Sequence, residues 1–230
     1  MRTLAIESSA KAASIALVED SRLIAQNMQH AGLTHSKTLL PMTHSLLRDL
    51  GLTIQDIDQI AVAHGPGSFT GIRIGLATAK GLAMGADKPL IGVSSLEAMA
   101  HQAKHMGEGI TICPVMDARR EQVYNALFTV QDGALQRLTE DRAIAIEALF
   151  SKPDQDDSIV LVGDGAQLCY DWLKARDRSV KLLPEHLAQQ SAWGVAMAAQ
   201  GLEGKCIHEV NPRYIRPSQA ERERLEKEGE

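Results

Sequence analysis

Apolar positions alternate with small or polar ones at the start of the chain, over residues 3–6 and 14–18, around the polar turn Glu7-Ser8-Ser9-Ala10-Lys11. A period of two predicts two strands, and Glu19-Asp20-Ser21 turns the chain into a third over residues 22–28. From residue 34 to 50 the period lengthens. Leu39, Leu40, Met42, Leu46, Leu47 and Leu50 mark a helix, with Gly51 as its stop. Pro41 falls inside this run and implies either a kink or a helix that begins there. A strand over 60–63, a glycine-rich loop, a helix over 71–84, a strand over 89–93 and a helix over 94–104 complete one α/β unit.

A second unit opens near Ile110. Residues 110–116 read as a strand, Asp117-Ala118-Arg119-Arg120-Glu121 as a turn, residues 123–130 as a strand, and Gln131-Asp132-Gly133 as a further turn. Both units share a grammar: a strand ends in an acid (Glu7, Asp117), a basic residue follows (Lys11, Arg119), and a strand, an acidic turn and another strand come next. Helices over 144–151, after Gly165 and over 191–203, and a strand over 159–162, complete the second unit. Residues 152–157 read as a surface loop, and 219–230 as a charged tail. The expected division is therefore 1–105, a smaller 106–217, and a tail 218–230, with helix 191–203 packing back on the first unit.

Composition narrows the function classes. Hydrophobic residues at 44% and charged residues at 23% describe an ordinary globular chain, and a net charge of -5 argues against nucleic-acid binding by the whole surface. Residues 1–7 lack the apolar core of a signal peptide, and no apolar run approaches the roughly 18 residues that cross a bilayer. Cys113, Cys169 and Cys206 are widely spaced and odd in number, which suits a reducing cytoplasm.

The densest chemistry lies between the fourth strand and the helix after it. Gly65, Gly67, Ser68, Thr70 and Gly71 put backbone N–H groups and hydroxyls at a helix N-terminus, the geometry of a phosphate cradle. The same glycines also suit a tight strand-to-helix turn. The spacing matches neither G-x-G-x-x-G nor a P-loop. Glu7 ends the first strand where actin/hexokinase-type ATPases place a magnesium carboxylate, but Ser8-Ser9-Ala10 follows instead of glycine, so a solvated turn carboxylate is expected. His101 and His105 stand four apart without the acid of H-E-x-x-H; His35 and His44 suit surface or cap positions.

The helix over 71–85 is apolar almost all round. Ile72, Leu76, Ala79 and Ala83 lie on one side, Ile74, Ala77, Gly81 and Met84 on the other, and only Arg73 and Lys80 form a charged stripe. Burial inside one domain or in a subunit interface explains such a helix equally.

The run Ala63-His64-Gly65-Pro66-Gly67-Ser68-Phe69-Thr70-Gly71-Ile72-Arg73-Ile74-Gly75, with Gly81-Leu82-Ala83, Gly92-Val93-Ser94-Ser95-Leu96, Asp117-Ala118-Arg119-Arg120-Glu121-Gln122-Val123-Tyr124 and Pro212-Arg213-Tyr214-Ile215-Arg216, resembles the TsaB (YeaZ) family. The likeness runs from residue 2 to about 217. It implies a two-domain α/β fold of the actin/hexokinase-like (ASKHA) type and a place in the bacterial machinery that puts threonylcarbamoyl on N6 of the adenosine beside the tRNA anticodon. Family members are regarded as non-catalytic partners of TsaD. They form a heterodimer with it that the ATPase TsaE joins, and homodimers when TsaD is absent. No cofactor of the chain's own is implied, although a nucleotide at the partner interface is compatible. TsaD carries His-Met-Glu-Gly-His where this chain reads Ser95-Leu96-Glu97-Ala98-Met99, so serine and methionine stand in place of both metal-binding histidines. On this reading Leu39, Met42, Leu46, Ile74, Ala77 and Thr78 form the dimer seam. Arg119, Arg120, Arg213 and Arg216 are the candidates for tRNA or partner contact, which the net charge keeps weak. The alternative is a small ATPase or phosphotransferase using Glu7, Ser68 and Asp117.

Overall fold

The structure is a computed structural model that describes residues 1–151, 158–178 and 180–216; the loop expected at 152–157 and the tail from 219 lie outside the described residues. The chain builds two mixed sheets. In the first, β1 (Arg2–Glu7) is central, antiparallel to β2 (Ala13–Glu19) and parallel to β4 (Gln59–Gly65). The order is completed by β3 (Arg22–Gln29) on one edge and β5 (Leu90–Ser94) on the other, giving β3-β2-β1-β4-β5. The second sheet repeats that plan. Its β6 (Thr111–Asp117) is antiparallel to β7 (Gln122–Asn125) and parallel to β11 (Ile159–Val162). With β10 (Arg142–Ala145) and β12 (Lys181–Leu182) the order becomes β10-β7-β6-β11-β12. The repeated grammar of the sequence is thus a repeated topology, with Glu7 and Asp117 each closing the central strand of a sheet.

The strand expected over 123–130 is split. Its first half is β7; its second half, β8 (Phe128–Gln131), pairs with the start of β6 and with β9 (Ala134–Arg137). Pro114 causes the break, because proline offers no N–H to a ladder. Asn125 bridges the gap, its Nδ2 donating to the Pro114 carbonyl at 3.1 Å. The expected helix over 144–151 shrinks to α4 (Ile146–Leu149), because Ile144 belongs to β10.

Side-chain period sorts each face of the first sheet. Leu4, Ile6, Ile15, Leu17, Ile60 and Val62 point to one side, where α1 (His35–Asp49) and α2 (Phe69–Ala86) cover them. Ala5, Ala16, Ala61 and Ala63 point to the other, where α7 (Ala192–Ala198) lies with its own Ala192, Ala196 and Ala198. Small residues on both sides let α7 approach closely; a Cβ on Gly194 would collide with the Ala98 carbonyl of α3 (Ser95–Ala103). The remaining face of α3, with Leu96, Met99 and Ala100, packs on the second sheet, whose far side is covered by α4 and α5 (Ala166–Lys174). A short α6 (Glu185–Ala188) precedes α7. The expected helix to residue 203 stops at Ala198, and Gly201 turns the chain at φ +76.

Helix α1 starts at His35, six residues before Pro41, so proline does not begin it. The carbonyl that loses its donor is that of Lys37, and both residues lie on the exposed side of the helix. Gly51 ends the helix at φ +67, its N–H and that of Leu52 bonding back to Arg48 and Leu47.

Candidate functional site

The C-terminal ends of β1, β4 and β6 face a cleft of about 660 Å³ between the two sheets. Lys11, Gly67, Ser68, Thr70, Asp117, Arg119, Asp164, Arg213, Tyr214 and Arg216 are among the residues along its wall. The glycine loop does reach this cleft, but its cradle is filled by the chain itself. The Ser68 N–H donates to the Ser9 carbonyl at 2.7 Å. A Cβ at Gly67 would collide with that same carbonyl, one at Gly71 with the Ser8 carbonyl, and one at Gly65 with the Arg213 carbonyl. Gly65 and Gly67 also stand at φ +127 and +151, where L side chains are rare. The loop is shorter than expected, since Ser68 caps α2, accepting the Gly71 N–H at 3.2 Å, and Thr70 and Gly71 lie in the first turn.

Glu7 corrects an expectation. It is fully buried, not solvated. It pairs with Ser14 across β1 and β2, and the Ala192 N–H at the start of α7 donates to the Ser14 hydroxyl at 3.1 Å, so the helix covers this end of the sheet. One carboxylate oxygen accepts the Ser9 N–H, and the other is buried without a hydrogen-bond partner among the described residues. Burial pushes its pKa up to about 7. Asp164, after β11, is also raised by burial, while the Gln190 amide donates to it at 2.9 Å. Neither Ser95 nor Met99 faces the cleft: both are fully buried, and Met99 sits in the core under the second sheet. His101 and His105 do not share a helix face, since α3 ends at Ala103 and His105 falls in a 3-10 turn; burial lowers the His101 pKa to about 4. His35 bonds the Ala10 carbonyl through Nε2 at 2.8 Å, and His44 is exposed on α1.

The residues at 211–216 cross the mouth of the cleft as a strap. The Arg213 N–H donates to the His64 carbonyl at 2.7 Å, and its guanidinium meets Asp141 at 3.2 Å and Glu140 at 3.5 Å. Arg216 donates to the Ala118 carbonyl at 3.2 Å. Tyr214 stacks on Phe69 with ring centroids 4.8 Å apart and accepts a 2.7 Å hydrogen bond from Arg73, whose guanidinium lies 3.7 Å above the Phe69 ring. The Phe69–Arg73–Tyr214 stack was not foreseen. Its partners lie about 140 residues apart, and only the Pro212-Arg213-Tyr214 motif marked that end of it.

Opposite the glycine loop, the β6–β7 turn has a different make-up. Arg119, Arg120 and Glu121 stand in succession at φ 62, 56 and 57. For residues with a Cβ that region costs about 1–2 kcal/mol each. The turn is closed by Asp117, which accepts the Arg119 N–H at 2.7 Å, and by the Gln122 and Ala118 N–H bonds across it. Arg119 lines the cleft and both arginines are exposed. Of the four arginines expected to meet tRNA or a partner, 213 and 216 are engaged within the chain, and 119 and 120 have no hydrogen-bonding or ion-pair partner for their guanidinium groups among the described residues.

The expected dimer seam divides as well. Leu39, Met42 and Leu46 face inward, fully or almost fully buried against the first sheet, so their place in an outward seam is corrected. The helix pattern left two faces open, and the branched face of the sheet takes this one. Ile74 and Thr78 are half-buried and Ala77 is exposed, on the side of α2 that leaves Met84 64% exposed. Beside them, Leu40 of α1 is 54% exposed, next to an apolar hollow of about 710 Å³ whose walls include Pro41, Leu47, Leu52 and Leu82. No helix among the described residues is long and apolar enough to cross a membrane.

Comparison with known proteins matches these features. A family model described as TsaD, tRNA N6-adenosine threonylcarbamoyltransferase, matches residues 27–223. The tRNA threonylcarbamoyladenosine biosynthesis protein TsaB of Bacillus subtilis (strain 168) is 33% identical over 231 residues, covering 98% of this chain and 99% of that protein. The solved structure of YeaZ from Pseudomonas aeruginosa superposes with a TM-score of 0.77 at 26% identity, covering 93% of this chain and 99% of that one. The activator of the 2-hydroxyisocaproyl-CoA dehydratase from Clostridium difficile, with ADPNP bound, shares the fold alone: TM-score 0.52, 12% identity, 99% and 98% coverage. The two α/β units are therefore those of an actin/hexokinase-like (ASKHA) fold. With a relative matched from end to end, the chain belongs to the TsaB (YeaZ) family.

Proposed function

We propose that this protein is a non-catalytic dimerisation subunit of the cytoplasmic complex that transfers threonylcarbamoyl to N6 of the adenosine beside the anticodon of tRNA. Its partner is TsaD, with TsaE joining the pair, and a homodimer forms when TsaD is absent. The observation that carries this reading is the outward side of α1 and α2. Ile74, Ala77, Thr78, Leu82 and Met84, with Leu40 of α1, form an apolar surface beside a hollow of about 710 Å³, on a helix that already buries its other side in the core. A surface of this kind is the core of a large interface. The self-filled glycine loop supports the non-catalytic half of the reading, because the N–H of Ser68, which a phosphate would need, is held by the Ser9 carbonyl.

Size-exclusion of the chain with TsaD tests the proposal. Ala77→Glu puts a carboxylate on an exposed position of the free chain, so the fold stands, while in a dimer the charge is buried and unpaired. The expected loss is about 3–5 kcal/mol, hence at least a hundredfold in affinity. Unchanged co-elution of Ala77→Glu with TsaD would remove this interface.

A further inference from the structure

Each sheet with its helices is a lobe, and the chain passes between the lobes twice. One passage joins α3 to β6, where Gly107 and Gly109 stand at φ +135 and +71; the other joins β12 to α7. The passages are tied to each other, since the Gln102 amide donates to the Gln189 carbonyl at 2.8 Å. The link at the mouth of the cleft is of a different kind. Up to Arg213 the backbone there belongs to the first lobe: Lys205 bridges Leu90, Val210 is buried in the core of α1 and α2, and the Arg213 main chain packs on His64 and Gly65. Side chains then cross to the second lobe, Arg213 to Asp141 and Glu140, and Arg216 to the Ala118 carbonyl. Tyr214, between them, turns back to Phe69 and Arg73 of the first lobe. An exposed ion pair would add little. Asp141 differs, because its side chain is fully buried and Arg137 of its own lobe holds its other carboxylate oxygen at 2.7 Å. A buried, anchored carboxylate attracts a guanidinium more strongly than a solvated one does.

We infer that residues 211–216 are a latch that holds the two lobes closed, and that the cleft opens only when Arg213 and Arg216 let go. Beneath the strap the lobes touch. Met116 of β6 is 2% exposed, clusters with Ala10 of the first lobe, and has its Cε 3.0 Å from where a Cβ on Gly67 would stand. Parting the lobes uncovers Met116. The ties across the mouth are side-chain contacts, which break and re-form without refolding the backbone, and a few residues in the two passages suffice to absorb the rotation. The latch belongs to this chain alone and does not rest on the partner reading.

Thiol labelling tests the latch. Met116→Cys places a reporter between the lobes, and Cys206→Ser removes the exposed native thiol, so that the buried Cys113 and Cys169 serve as an internal control for unfolding. Onto this background, Arg213→Met with Arg216→Met removes both guanidinium ties while Asp141 keeps Arg137. The introduced thiol is expected to label about ten- to a hundredfold faster in that chain than in the latched one, with Cys113 and Cys169 unreactive in both. Tyr214→Ala loosens the strap on the first lobe alone; it is expected to speed labelling by a smaller factor, and it carries the test if the double arginine variant does not fold. Equal labelling rates with and without the arginine ties would overturn the inference. So would equal acceleration at Cys113 and Cys169, because that outcome is general unfolding and not a parting of the lobes.

Discussion

Two turns face each other across the cleft, and they solve one backbone problem with opposite residues. The loop after β4 needs positive φ at 65 and 67 and has glycine at both; the turn after β6 needs it at 119, 120 and 121 and has glycine at none. The first loop is pressed against its own chain, with the Ser9 and Arg213 carbonyls where a Cβ would lie. The second stands open to solvent at its arginines. Glycine here serves packing, and the missing side chain is the functional property. In the other turn the side chains persist although the backbone would be better without them.

The largest expected effect that breaks the contrast is Gly67→Ala. The added methyl meets the Ser9 carbonyl in a backbone region hostile to alanine, so a loss of at least about 3 kcal/mol is expected, read by chemical denaturation. If Gly67→Ala were as stable as wild type, the loop would be an open cradle after all.

The acids that end β1 and β6 sharpen the same comparison, because Glu7 is buried and Asp117 is exposed. A carboxyl raised to about 7 in the folded chain holds its proton while the unfolded chain releases it at the ordinary value near 4.5. Stability should therefore fall as pH rises from about 4.5 to 7, by on the order of 1–3 kcal/mol, and stay level above that range. Asp164, raised by burial as well, acts in the same direction. Glu7→Gln is expected to flatten most of this decline in a series of denaturation curves. A decline of equal depth in Glu7→Gln would place its origin elsewhere.

The smallest effect concerns the open turn. Asp117→Ala frees the Arg119 N–H at an exposed site and should cost about 1 kcal/mol. Hydrogen exchange at residues 118–122 should accelerate while the core strands are unaffected. Protection equal to wild type would mean that the carboxylate does not fix the turn.

Much of the fold was legible because its signals are local. Strands β1, β2 and β4 show in the apolar pattern of their own residues, and Gly51 marks the end of α1 beside it. What escaped had causes far away in sequence. The break between β7 and β8 comes from Pro114 on a neighbouring strand, and the burial of Glu7 comes from α7, some 185 residues later. The polar turn Glu7-Ser8-Ser9 reads as solvated because nothing in it announces the helix that covers it. Helix α2 illustrates a different limit: being apolar all round, it gives no sign of which side meets the sheet. The sheet decides, by turning branched residues toward α1 and α2 and alanines toward α7.

That alanine face bears on synthesis. The strands of the first sheet leave the ribosome early, but the helix that seals one of their faces begins at residue 192, and the strap on Gly65 comes later still. Until then Ala5, Ala16, Ala61 and Ala63 line a bare sheet. The N-terminal half therefore matures last although it is made first, and a chain cut near residue 105 is left with an unsealed sheet that invites self-association.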